Sequence, residues 1–293
     1  MKTDNLLTLP DGRRLAYAEY GKPDGCPVFY FHGTPSSRLE PLMIGNEAFL
    51  QYGLRVIAPD RPGMGKSDFQ LKREFSDWPK DMAYLADTLG LEKFSVLGVS
   101  GGGGYVAACA AKIPERLSKA VFAAGAWRID SEAMKVIGFP LNLMWQVTAH
   151  APIFLPFILK MMTKMMSQPP KAGSEKASAP PNNIMPAADH AVMAQPGRIA
   201  VNQKVLGEAM KQGSKGPAWD MRLYVREWDF DPAEIQISLT LFHGAQDRNF
   251  PLGLVKRATN SLPRAKLITY PDDGHISTCA NHSDEIVKAL LPD

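Results

Sequence analysis

The chain has 293 residues, 45% of them hydrophobic and 22% charged, with a formal net charge of +3. That length and balance suit a folded globular protein with a sizeable core, and the mild charge, with no dense basic patch interleaved with aromatics, argues against nucleic acid as a partner. Three cysteines, Cys26, Cys109 and Cys279, none in a C-x-x-C pair, suggest neither a disulfide framework nor a zinc site.

The first residues, Met1-Lys2-Thr3-Asp4-Asn5, lack the apolar core of a secretory signal, so a cytoplasmic location is expected. Residues 5 to 8 and 14 to 20 read as two strands around the turn Pro10-Asp11-Gly12. Residues 27 to 31 form a continuous apolar run, expected for an inner parallel strand, and lead into His32-Gly33-Thr34-Pro35. Ser37-Arg38-Leu39-Glu40 fits a capping box and predicts a helix start nearby. Residues 55 to 59 are the next strand, followed by a tight turn from Asp60 to Ser67 in which Asp60 is expected to act as a turn former. Trp78, Met82, Leu85 and Leu89 recur at helical spacing, and Gly90 supplies the stop.

Residues 94 to 112 come next and organise the chain. A short apolar run meets Gly98-Val99-Ser100-Gly101-Gly102, then Gly103, Gly104, Tyr105 and a run of small residues that reads as a helix packed close to a sheet. In G-x-S-x-G the serine occupies a sharp strand-to-helix turn, and the helix N-terminus aims free N–H groups at whatever the serine attacks. Gly98, Gly101 and Gly104 also fall at the G-x-x-G-x-x-G spacing of a dinucleotide-binding loop, and a plain glycine-rich turn with no chemistry is the third reading. Residues 117 to 124 form a further strand.

The strand–helix rhythm then stops. From 127 to 234 there are Met- and Leu-rich helical patterns without clear strands, and a stretch from 167 to 186, dense in Pro, Ala, Ser and Lys, reads as a mobile loop. Within this region, 136 to 166 is apolar enough to test as a membrane span. Pro140, Pro152 and Pro156 break it and Asn142, Gln146 and His150 interrupt it, which rejects a transmembrane helix but leaves contact with a lipid surface open. Met161, Met162, Met165 and Met166 are expected to form the packing face of a helix, and Trp228 and Phe230 to secure the point where the chain rejoins the sheet. The rhythm resumes with strands at 235 to 243 and 265 to 270, and Ser283 is expected to cap a closing helix that runs to Leu291. The domain organisation is therefore a core of 1–126 and 235–293 around a helical cap insertion, 127–234.

The candidate chemistry lies at strand ends. A serine is a weak nucleophile until an imidazole takes its proton and a carboxylate orients that imidazole. His275 follows the last strand, in a glycine-containing loop; Asp247 follows the strand before it; Ser100 follows the short apolar run that opens at Phe94. The order Ser, Asp, His is one of the known triad orders, and open α/β sheets bind ligands at these strand ends. The dinucleotide reading needs an acidic residue near the end of the next strand; that strand ends Phe122-Ala123-Ala124-Gly125-Ala126, without a carboxylate, and the reading leaves Asp247 and His275 unused. His32 and His243 are expected to serve structural hydrogen bonds, His282 to face solvent, and Asp272 and Asp273 to belong to the turn.

With His32-Gly33-Thr34-Pro35, the turn from Asp60 to Ser67, Gly98 to Gly102, Gly244 to Asp247, and Gly274-His275 in this order, the chain resembles the α/β-hydrolases. The resemblance implies a mostly parallel eight-stranded sheet with flanking helices, and an oxyanion hole made by the backbone N–H groups of Thr34 and Gly101. Many relatives carry a larger side chain after the serine; a bare Gly101 is expected to widen the floor of the site. Serine at 100 argues against the similar haloalkane dehalogenases and epoxide hydrolases, which use aspartate there. The implied activity is hydrolysis of a small, hydrophobic carboxylic ester without metal or organic cofactor. The alternatives are an amidase similar to proline iminopeptidases, and a non-catalytic ligand-binding protein on the same fold.

Overall fold

The computed structural model describes residues 1–166 and 185–292. The expected mobile loop falls largely in 167–184, outside the described residues. An eight-stranded sheet runs through the molecule in the order β1-β2-β4-β3-β5-β6-β7-β8. Its strands are β1 (Lys2–Thr8), β2 (Arg14–Gly21), β3 (Cys26–Phe31), β4 (Leu54–Pro59), β5 (Phe94–Val99), β6 (Leu117–Ala123), β7 (Leu239–Gly244) and β8 (Ala265–Tyr270). β1 and β4 each pair antiparallel with β2, and every pair from β4 to β8 is parallel.

Burial follows strand position. β1 alternates between exposed and half-buried residues, as an edge strand with one wet face does, whereas most of β3, β5 and β6 is buried because helices cover both faces there. The covering helices are α1 (Asn46–Gln51), α2 (Asp77–Thr88) and α3 (Gly103–Lys112). Between β6 and β7 the chain adds α4 (Ser131–Val136), α5 (Leu141–His150), α6 (Leu155–Met166), α7 (Ala187–Met193), α8 (Arg198–Ala209) and α9 (Lys215–Tyr224), and among the described residues no strand. The fold closes with α10 (Leu252–Asn260), α11 (His275–Asn281) and α12 (Ser283–Lys288). Among the described residues no helix is long and apolar enough to cross a membrane.

The small side chains of α3 let it lie flat on the sheet. Val106 to Ala110 are fully buried, Cys109 among them as an apolar filler. Trp228 and Phe230 both meet Phe75 edge-on, and Trp228 also packs at a tilt against Trp127, joining the return segment to the core as expected.

Several expectations are corrected. Ser37 and Glu40 do not make a capping box: Ser37 donates to the Val205 carbonyl at 3.0 Å, Glu40 begins a short 3-10 turn, and the α-helix starts only at Asn46. The Glu40 carboxylate is drawn instead to the Gly33 N–H, at 2.9 and 3.1 Å, and to the Tyr30 hydroxyl, at 2.9 Å. Met161 and Met162 are 49% and 39% exposed, so they are not a packing face; Leu155 and Leu159 bury that helix instead. The side chains of Met165 and Met166 lie outside the described set. The strand expected from 235 begins at Leu239, after a 3-10 turn over Pro232–Glu234. The last helix starts without a side-chain cap and ends at Lys288. His282 does not simply face solvent: its Nε2 lies 2.7 Å from Asp273, and its ring stacks on Tyr270.

Candidate active site

Ser100 stands between β5 and α3 with φ of 50°, one of three non-glycine residues with positive φ among the described residues. Such a conformation costs of order 1–3 kcal/mol and persists where surrounding structure imposes it. Here close packing imposes it. A Cβ on Gly98 would lie 2.6 Å from the Gly102 carbonyl oxygen, and one on Gly102 would lie 2.0 Å from the Phe31 carbonyl oxygen. The bare positions let the turn press against β3 and push the serine hydroxyl outward. The same packing removes the need for a phosphate to explain the glycines.

His275 is the first residue of α11. Its Nε2 is 2.9 Å from Ser100 Oγ, and its Nδ1 is 2.7 Å from Asp247 Oδ2. The carboxylate can only accept, so Nδ1 carries the proton and Nε2 is left free to accept from the serine. Asp247 is 3% exposed, and its other oxygen accepts from the backbone N–H groups of Asn249 and Phe250 at 2.8 and 3.0 Å. Burial disfavours the charged form of both partners, but their mutual attraction wins: His275 is raised above the ordinary histidine value, and Asp247 is held below the ordinary carboxylate value. The structure thus brings together Ser100, Asp247 and His275, from the ends of three strands.

Thr34 and Gly101 also meet. A Cβ on Gly101 would lie 2.4 Å from Thr34 Oγ1 and 3.0 Å from the Thr34 nitrogen. This corrects the expected bare floor: the Thr34 side chain already fills the space that a larger residue at 101 would occupy. Thr34 is in turn held from below. Its hydroxyl donates to Asp220, and Arg61 Nη2 donates to its oxygen at 2.6 Å. Arg61 also donates to the carbonyls of His32 and Gly33, so one guanidinium grips three successive residues of the loop.

Asp220, on α9, accepts from Arg61 at 2.8 Å, from Arg73 at 2.7 Å and from the Tyr105 hydroxyl. All four side chains are at most 2% exposed. Burial alone would raise the Asp220 carboxyl, but the two guanidiniums hold it far below the carboxylate range. Two cations and one anion leave this buried cluster net positive. Burial and the Arg61 charge in turn keep His32 neutral, with its Nε2 accepting from the Arg61 backbone N–H at 3.2 Å. His32 and His243 are structural, as expected; His243 Nε2 bonds the Phe250 carbonyl at 2.8 Å. Asp60 is a buried turn former, accepting from the backbone N–H groups of Arg38 and Lys66.

Asp189, on α7, is a further buried carboxylate. It accepts from the backbone N–H groups of His275, Ile276 and Ser277 at 2.9, 3.0 and 2.8 Å, and from the Ser277 hydroxyl at 2.7 Å. It therefore caps the N-terminus of the helix that His275 begins, and a side chain on Gly274 would lie 2.6 Å from it. Sequence reading passed over Asp189 and Asp220. The available signal was a carboxylate placed among apolar residues at helical spacing: Asp220 precedes Leu223 and Tyr224 by three and four positions, and Asp189 precedes Val192 by three.

A cavity of about 180 Å³ adjoins Ser100, walled by Met144, Trp145, Tyr224 and Phe250 with Thr34 and Gly101 beside the serine. It lies below the range of about 300–1,000 Å³ usual for drug-sized ligands.

A profile for the alpha/beta hydrolase fold matches residues 27–278. Over 97% of its length the chain is 26% identical to a bifunctional esterase/perhydrolase of Acinetobacter calcoaceticus, of which it covers 97%. It is 38% identical over 119 residues to a non-heme chloroperoxidase of Streptomyces lividans, a match spanning 39% of this chain and 42% of that one. An esterase from Exiguobacterium antarcticum has the same fold, with a TM-score of 0.70 at 18% identity over 99% of this chain and 98% of that one. The chain belongs to the α/β-hydrolase fold family. It is a hydrolytic enzyme.

Proposed function

We propose that this chain is a serine esterase acting on small carboxylic esters, with Ser100 as nucleophile, His275 as base and Asp247 as the acid that orients it. The observation that carries this reading is the unbroken relay from Ser100 Oγ through His275 to Asp247, at 2.9 and 2.7 Å. Ser100 Oγ attacks the ester carbonyl as its proton passes to His275 Nε2. The backbone N–H groups of Thr34 and Gly101 receive the oxyanion, with the net positive cluster beneath them. Collapse expels the alcohol, protonated by His275. Water then attacks the acyl-enzyme as His275 takes its proton, and the acid leaves.

Residues 127–234 act as the cap in this reading, since α5 and α9 supply Trp145 and Tyr224 to the cavity wall. The cavity's size and aromatic walls favour a short apolar acyl group. The esterase named among the full-length relatives supports ester over amide; the proline iminopeptidase of Neisseria gonorrhoeae matches over only 38% of this chain.

The test is turnover of p-nitrophenyl acetate, butyrate and octanoate beside proline p-nitroanilide. Acetate and butyrate are expected to lead. Ser100→Ala is expected to lose on the order of 10³- to 10⁶-fold in kcat, and a fluorophosphonate is expected to label Ser100. A variant within tenfold of the parent would leave a ligand-binding role as the better account, and a faster anilide would make the enzyme an amidase.

A further inference from the structure

Two backbone donors stand open beside Ser100. Among the described residues neither the Thr34 N–H nor the Gly101 N–H meets a protein acceptor, and both residues line the cavity at the serine. Backbone N–H groups inside a fold are nearly always paired, so two open ones at a cavity wall suit an oxygen that a ligand brings.

What aims them lies on the far side of each peptide. A trans peptide holds its N–H and C=O on opposite sides of one plane, so fixing the oxygen fixes the direction of the hydrogen. The Thr34 N–H shares a peptide with the Gly33 carbonyl, which accepts from Arg61 Nη2 at 2.8 Å and lies 2.8 Å from His32 Nδ1. His32 is neutral and its Nε2 already accepts from the Arg61 backbone N–H, so Nδ1 carries the proton and donates to that carbonyl as well. The Gly101 N–H shares a peptide with the Ser100 carbonyl, which accepts from the Ala126 N–H at 2.7 Å.

Both donor-bearing residues are also held from one helix of the insertion. Asp220 and Tyr224 stand four apart on α9 and share its buried face. Asp220 accepts from Arg61 Nη2 at 2.8 Å and from the Thr34 hydroxyl. The Tyr224 hydroxyl donates to the Gly101 carbonyl and accepts from the Gly104 N–H, each at 2.9 Å, so it is spliced into the start of α3. Gly104 is bare to admit it: a Cβ there would lie 2.6 Å from the Phe75 ring and 2.9 Å from the Tyr224 oxygen.

We propose, resting on the serine-esterase reading for the oxyanion itself, that α9 braces the oxyanion hole, with Arg61 and Tyr224 as its positioning residues. Arg61 turns the Thr34 N–H toward Ser100, and Tyr224 sets the Gly101 turn beside it. Misaimed donors cost most where the oxyanion carries full charge, in the transition state, and little in the bound ester.

The test pairs crystal structures of full-length variants with their kinetics on p-nitrophenyl butyrate, rates being taken per serine labelled by a fluorophosphonate at completion. Arg61→Lys keeps the charge beside Asp220, but one ammonium lacks the planar fork that reaches the His32 and Gly33 carbonyls and the Thr34 oxygen together. The Gly33–Thr34 peptide is expected to be rotated in that variant. Its kcat should fall about 10- to 10²-fold at nearly constant KM, short of the roughly 10²- to 10³-fold that loss of a whole donor costs. Tyr224→Phe keeps the ring in the cavity wall and should lose about 2- to 10-fold in kcat, the worth of one hydrogen bond, again without a change in KM. As the milder change, it decides the matter if Arg61→Lys does not fold. An unmoved peptide in Arg61→Lys, a kcat per labelled serine equal to the parent in Tyr224→Phe, or a loss confined to KM overturns the inference. A parent that neither takes the label nor turns over esters overturns the esterase reading instead, while the peptide in the crystal still reports whether Arg61 aims it.

Discussion

The sheet and the helices inserted after it contribute to the site in opposite ways. The sheet delivers the three groups of the proposed triad: Ser100 after β5, Asp247 after β7 and His275 after β8, each just past a parallel strand's C-terminal end. The inserted helices deliver none of the three. They send two buried carboxylates down onto the core instead, Asp220 to the loop bearing Thr34 and Asp189 to the helix bearing His275. The proposed triad comes from the part with regular topology, and the restraint on it comes from the part without it. The inserted segment is thus more than a cover, because removing it would release both halves of the site.

That division can be broken from either side. The largest effect is expected on the sheet side. Asp247→Asn should keep the shape but reverse the hydrogen-bond pattern at His275, costing about 10⁴-fold in kcat by analogy with other serine triads. The acid limb of the kcat/KM profile should also move. In the proposed mechanism His275 must be neutral to act, so activity is expected to be lost as pH falls through its pKa, which in the parent lies above the ordinary histidine value, the Asp247 charge outweighing burial. Removing that charge should shift the limb to lower pH. A variant with parental kcat and an unmoved limb would detach Asp247 from the base.

On the other side, Asp220→Ala leaves two fully buried guanidiniums without their shared anion. Breaking a buried ion pair in this way costs about 3–5 kcal/mol, so urea denaturation should show a large fall in midpoint. Asp220→Asn, which keeps the hydrogen-bonding shape, should recover part of that loss. If both variants matched the parent in stability and turnover, the inserted helices would be independent of the Thr34 loop.

What could be read beforehand follows the same division. The strands announced themselves locally. Residues 27 to 31 and 94 to 99 are short apolar runs, and Ser100 sits in a glycine pattern that closeness to β3 requires. Even the relay was legible, because topology alone carries three strand ends to one edge. The carboxylates were not, because their partners lie far along the chain: 86 residues for Asp189 to His275 and 186 for Asp220 to Thr34. Nothing in the windows around them names those partners. Glu40 was misread for a related reason. Its spacing from Ser37 matched a local cap, but the buried Gly33 N–H and Tyr30 hydroxyl competed for the same carboxylate and won. Gly101 looked bare only because Thr34, which fills the space, is distant in sequence.

The finest test of the comparison is Asp189→Asn. The carboxylate meets three backbone N–H groups and one hydroxyl, all donors, so an amide would turn one of its own donors against them. If Asp189 only stabilised the fold, the melting temperature would fall and kcat would stay. If it positions the base, kcat should fall about tenfold with KM nearly constant, since a small displacement of His275 weakens proton transfer more than substrate binding. A second readout separates the two. The negative groups that face His275 are Asp247 from the loop after β7, Asp189 from α7 and Glu40 from the turn after β3, and each favours its charged form. Removing the Asp189 charge should therefore move the acid limb toward lower pH, by less than Asp247→Asn does, because Asp247 is the partner in direct contact with the ring. Asp189→Glu, which restores the charge on a longer stem, should return the limb toward the parent even where kcat stays low.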